Sequence, residues 1–193
     1  MTAEIPTQEI ACQQVLVDDA SVFSIQWSIF PPGIATELTP EMLLSRYLAY
    51  IRRCTATIIR PCPAPTGMEF RLFGSAISLI SFLPAVMEGD CLVLRIRGGL
   101  LVQPRQCDRG EMRFGVAPLP EGVRVSLQLS DYCPLLLGSS SPSVVRRWLY
   151  SLTQAFIHRL VTVRFLVMFC RELSGSARLV KVVPVRIREG RPV

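Results

Sequence analysis

The chain has 193 residues, half of them hydrophobic, with a formal net charge of +6 and a mean hydropathy of +0.38. That length predicts one domain over residues 1–193, large enough for a sizeable core. No window supplies the ~20 uncharged residues of a spanning helix, and the start MTAEIPTQEI lacks the basic and apolar regions of a secretory signal. Seven cysteines with no CxxC spacing and a single histidine exclude the usual zinc patterns, so no metal and no cofactor is expected. They suit free thiols in a reducing, cytoplasmic compartment.

In chain order, residues 1–9 read as a loose arm and 10–17 as a short strand or helix, with strand favoured. Residues 22–30 alternate: Phe23, Ile25, Trp27 and Ile29 share one face, Ser24, Gln26 and Ser28 the other, as in a half-buried strand. Pro31, Pro32 and Gly33 end it. Thr39, Pro40 and Glu41 supply an N-cap, a first-turn proline and a first-turn acid, which predicts a helix to about Arg53 with Leu44, Tyr47, Leu48 and Ile51 buried. Residues 55–60 are rich in β-branched side chains and predict a strand, and the prolines at 61, 63 and 65 predict an extended loop after it. Strands are expected at 69–73, 76–83, 91–97, 100–102, 111–117 and 123–130. A helix is expected from Pro142, capped by Ser141, to about residue 173, stopped near Gly175. A short strand at 179–187 and an Arg/Pro-rich tail at 188–193 finish the chain, so the core spans about 21–175.

A run of antiparallel strands followed by one long apolar helix must bury one against the other, which gives an α+β fold with the sheet gripping that helix. First strand, helical region, antiparallel strands and capped C-terminal helix, over roughly 21–173, is an order that resembles the helix-grip fold of the START and Bet v 1-like (SRPBCC) superfamily. The resemblance lies in element order and not in a residue motif. It implies an apolar cavity between sheet and helix. Binding of a hydrophobic or amphipathic small molecule, or a lipid, is the function this suggests; a cyclase or hydratase using the same cavity is the alternative.

A few side chains stand out. On a helical wheel Val145, Trp148, Leu149, Leu152, Phe156, Val163, Leu166, Val167 and Cys170 share a sector, and Arg159 falls inside it. A guanidinium there requires a partner: an internal carboxylate, a ligand anion, or an escape to solvent along its own stem. Asp131 continues the inward phase of Val123, Val125, Leu127 and Leu129, so an Asp131–Arg159 pair is one expectation, and a solvent-exposed strand end is the other reading of Asp131. Trp27, Phe114, Trp148 and Phe156 either fill the core or line the cavity with these two. His158 has no neighbouring nucleophile in sequence and reads as a surface or half-buried side chain. Residues 140–193 hold ten basic and two acidic side chains, against eleven and thirteen before them. That basic third is a solvated face, or a surface for an anionic membrane or an acidic partner. Arg95, Arg97, Arg113 and Arg124 lack interleaved aromatics, so no specific nucleic-acid partner is expected.

Overall fold

The computed structural model describes residues 7–34, 38–104, 109–137, 156–175 and 178–192, without the side chains of Ile34 and Phe156. Its first element is β1 (Thr7–Leu16), which turns back through Asp18 and Asp19 into β2 (Val22–Phe30). Helix α1 (Pro40–Cys54) follows, and Thr39 caps it as predicted, its hydroxyl accepting from the Met42 N–H at 3.2 Å. Then come β3 (Ile59–Ala64), β4 (Gly67–Leu72), β5 (Ser78–Phe82), β6 (Val86–Glu88), β7 (Cys91–Gly98), β8 (Glu111–Leu119) and β9 (Gly122–Tyr132). Helix α2 (Phe156–Ser174), β10 (Leu179–Pro184) and β11 (Arg191–Pro192) complete the chain. The predicted helix start at Pro142, with Ser141 and Trp148, lies outside the described residues.

The strands form one sheet in the order β10-β1-β2-β9-β8-β7-β5-β4-β3, with β6 on β7 and β11 on β1. Every pair is antiparallel except β1 with β10. The four strands expected in one antiparallel sheet, β2, β7, β8 and β9, are there, and the class is α+β. Three local expectations are corrected. The proline run is not a loop but the edge strand β3. Pro61 and Pro63 are two apart, so both lack their N–H on the same side, and β3 has only one partner, β4. The residues before it, expected as strand, instead turn, with Ala56 and Thr57 at φ of 48° and 65°. The expected loose arm at 1–9 contributes Thr7, Gln8 and Glu9 to β1, which pair with Leu179, Val180 and Lys181.

The two helices α1 and α2 among the described residues lie on one face of the sheet. α1 crosses β3, β7 and β8, and α2 crosses β1 and β2 and touches α1. Aromatic rings fill the junction: Tyr47 meets Phe114 at 5.4 Å and Phe165 at 5.2 Å, Phe165 stacks on Phe169 at 5.5 Å, and Phe30 approaches Phe169 at 5.9 Å. Each such pair contributes about 0.5–1.5 kcal/mol beyond the area it buries. On α2 the buried set is Thr162, Phe165, Leu166, Phe169 and Cys170, the i, i+3, i+4, i+7, i+8 pattern of a one-sided helix. No helix among the described residues is long and apolar enough to cross a membrane.

Candidate functional site

The face of β2 turned to α2 is not the one its hydrophobic alternation suggests. Val22, Ser24, Gln26, Ser28 and Phe30 are all buried, whereas Ile25 and Trp27 are only half-buried and Ile29 is exposed. On β1 the corresponding residues are Gln8, Ile10, Cys12, Gln14 and Leu16, all buried. The register sets Cys12 opposite Gln26 and Gln14 opposite Ser24. Two neighbouring strands thus present a polar layer to the helix: Gln8, Gln14, Ser24, Gln26 and Ser28, with Thr162 buried on α2.

Most of the layer is hydrogen-bonded, as burial requires. Gln8 donates through Nε2 to Ser28 Oγ at 3.3 Å and to the Leu166 carbonyl at 3.4 Å, which ties β1 to α2. Ser28 donates to the Glu9 carbonyl at 2.8 Å, and Gln26 Nε2 to Ser24 Oγ at 2.9 Å. The Thr162 hydroxyl bonds back to the carbonyls of His158 and Arg159, at 2.9 and 3.1 Å. Gln14 is the exception. The residue is 8% exposed, and both Nε2 and Oε1 are buried without a partner among the described residues. Gln26 Oε1 likewise meets no partner among the described residues.

Gln14 stands where the edge of β1 changes partner. Pairing with β10 ends at Cys12–Pro184, and pairing with β11 starts at Val15–Pro192. Between them the strap of residues 185–190 lifts away, and a cleft of about 500 Å³ opens beside Cys12 and Gln14, with Arg159, Arg186 and Arg188 in its wall. Gln13, between Cys12 and Gln14 in sequence and also in the cleft wall, holds the strap down. Its Oε1 accepts from the N–H groups of Ile187 and Arg188 at 2.7 and 3.0 Å, and its Nε2 donates to the Arg188 carbonyl at 2.6 Å. Gly190, at φ +157°, lets the strap rejoin β1: a Cβ there would lie 2.8 Å from the Leu16 carbonyl oxygen.

The residues singled out in sequence are scattered. Arg159 is exposed and lines the cleft, with no ion pair to any described residue. The wheel places it at the angle of Leu166 and Cys170, but a wheel collapses the helix axis. Those two meet the core, and two turns earlier Arg159 meets the open edge of β1. Asp131 does not point inward. A bulge shifts the β2–β9 register between Val22 and Ser24, Asp131 takes φ +50°, and its carboxylate accepts from Arg188 at 2.8 Å. The Arg188 guanidinium also lies 5.5 Å from the Phe23 ring centroid, on the sheet face away from α2. Phe114 is fully buried against Tyr47, a core residue, and Trp27 is half-buried on the outer face. Phe156 begins α2, and its side chain and Trp148 lie outside the described residues. Sequence reasoning missed Gln8, Gln14 and Thr162. One signal was available: Val22 and Phe30 share the phase of the serines in β2, so its polar phase is bracketed by apolar residues.

Two titrating groups flank this region. Burial pushes the half-buried His158 imidazole down to about 4. Asp19, in the β1–β2 turn, is partly desolvated, which raises its pKa, but hydrogen bonds from Ser21 and the Arg109 guanidinium outweigh this and bring it to about 2. Among the described residues no group of three or more His, Cys, Asp or Glu could hold a metal ion.

No protein-family model matches the sequence, and no curated protein matches it. Among solved structures, the chain is similar to the crystal structure of CalU16 from Micromonospora echinospora, with 15% identity over 86% of this chain and 85% of that chain and a TM-score of 0.40. The solution structure of CalU16 gives 14%, 92%, 79% and 0.39. The di-domain ARO/CYC StfQ from the steffimycin biosynthetic pathway is similar at 14% identity, over 80% of this chain and 52% of that chain, with a TM-score of 0.44. Likenesses this remote carry no argument about chemistry.

Proposed function

We propose that this protein binds an amphipathic small molecule in the cleft between β1, residues 184–192 and the N-terminal part of α2. The observation that carries the reading is Gln14, a residue of the cleft wall whose buried amide has no partner at either atom among the described residues. An unsatisfied buried amide costs about 1–3 kcal/mol, and an apolar residue would serve packing better at that position. A ligand offering one acceptor and one donor removes the cost. The cleft volume, about 500 Å³, is that of a small-molecule site. The aromatic junction beneath α1 is filled by its own side chains and leaves the polar end of the interface as the place for a ligand. The reading stops at binding. Asp131, the carboxylate that a cyclase or hydratase would use, is engaged by Arg188 on the opposite face.

The test is native mass spectrometry of the purified protein for a co-purifying molecule, with Gln14→Leu alongside. The expected result is an adduct on the wild type that the variant loses while its melting temperature rises. A wild type without adduct, together with a Gln14→Leu protein less stable than wild type, rejects the proposal.

A further inference from the structure

We infer that Arg159 and the strap make the mouth of this cleft an anion site, which takes the carboxylate of an organic acid whose neighbouring hydroxyl or carbonyl groups meet Gln14. The inference rests on the binding reading above and adds the class of ligand. Among the described residues, three arginines and no acidic side chain stand in the cleft wall. They are not equivalent. Arg186 is bonded to Glu189 and Arg188 to Asp131, so both charges are answered outside the cleft. Arg159 meets no carboxylate among the described residues. A planar guanidinium with a free fork favours a planar two-oxygen anion, which it bonds through two parallel N–H groups.

Gln14 supplies the second, independent element. It is more than nine-tenths buried, belongs to the wall of the same cleft, and has an amide donor and acceptor, both closed to solvent, that meet no partner among the described residues. The polar layer continues inward through Ser24 and Gln26, whose Oε1 is a further unused acceptor. The polarity therefore runs from a charge at the mouth to neutral hydrogen-bonding groups inside, which fits a carboxylate leading into a hydroxylated or keto-bearing body. The mouth is the gap between the two pairings of β1, so the strap frames the entry. Gln13, a wall residue as well, fixes that frame with three hydrogen bonds to the strap.

The experiment titrates 6-hydroxy-2-naphthoate and its uncharged analogue 6-hydroxy-2-naphthamide into the full chain, followed by fluorescence at low and high salt. The wild type should bind the acid at least about tenfold more tightly than the amide, the scale of a charge-assisted pair, and salt should narrow the gap. Arg159→Gln should bring the two affinities together and leave the melting temperature unchanged, because the residue is exposed. Arg124→Gln, an exposed arginine on β9, should change neither affinity. Gln14→Leu should weaken both molecules. Equal affinity of acid and amide for the wild type overturns the anion site and leaves the binding reading standing. No binding of either at millimolar concentration overturns both. An acid preference that survives Arg159→Gln removes that residue from the site.

Discussion

The two halves of the helix–sheet interface are built on opposite rules. Beneath α1 the sheet offers Phe114 and the helices answer with Tyr47 and Phe165, ring on ring. Beneath α2, β1 and β2 set glutamines and serines among Ile10, Leu16, Val22 and Phe30, and one amide has no partner among the described residues. The first half holds the fold together by excluded water and close packing. The second gives up part of that stabilisation, which a protein retains where something besides folding requires the polar groups. Both rules meet on one helix, where Thr162 and Phe165 are a single turn apart.

Mutations at the two ends should therefore differ in sign. Phe165→Ala removes the ring shared by Tyr47, Tyr50 and Phe169, and should cost about 3–5 kcal/mol in chemical denaturation. A loss under 1 kcal/mol would mean that the aromatic half does not hold the fold. Acid provides the next effect. His158 is held near 4 in the folded protein and returns to its ordinary 6.5 on unfolding, so the unfolded chain takes up the proton first. Stability is then complete above pH 6.5, falls as pH drops from 6.5 toward 4, and levels below that until carboxylates such as Asp19 titrate. Only one histidine exists in the chain, so His158→Gln should flatten the slope in this window. Gln14→Leu should raise stability by about 1–3 kcal/mol, the cost of the unpaired amide, and a loss instead would place Gln14 with the ordinary core. The smallest effect belongs to the rim. Arg188→Gln breaks a partly exposed ion pair and should cost under about 1 kcal/mol, while hydrogen exchange at Ile187 and Arg188 quickens.

Much of this architecture is legible in the sequence where one signal dominates. The Thr39 cap, the β8–β9 hairpin and the sheet membership of β2 and β7 follow from turn residues and period-two alternation. The errors arise where two readings share one pattern. Alternation in β2 says that its faces differ but not which one the helix covers, and the usual assumption that the more apolar face goes inward fails at a polar interior. Asp131 is lost to a bulge, since an extra residue resets the phase without altering composition. Pro61 and Pro63 look like a loop until the strand they occupy is known to be an edge. Arg159 keeps its predicted angle and loses its predicted burial, because angle is a property of the helix and burial a property of its neighbours.

The parallel pairing of β1 with β10 carries a consequence for synthesis. Thr7 leaves the ribosome long before its partner Leu179. Until then β1 has β2 on one side and an open edge on the other, with the amides and carbonyls of Thr7–Cys12 unpaired and ready to join any passing strand. A chain truncated after α2 would keep its aromatic junction and leave that edge bare permanently. Such a fragment should come off the ribosome folded in its middle and aggregating at its margin. Strands β10 and β11 are in this sense the stopper of the sheet, put in place only after the strand they cover.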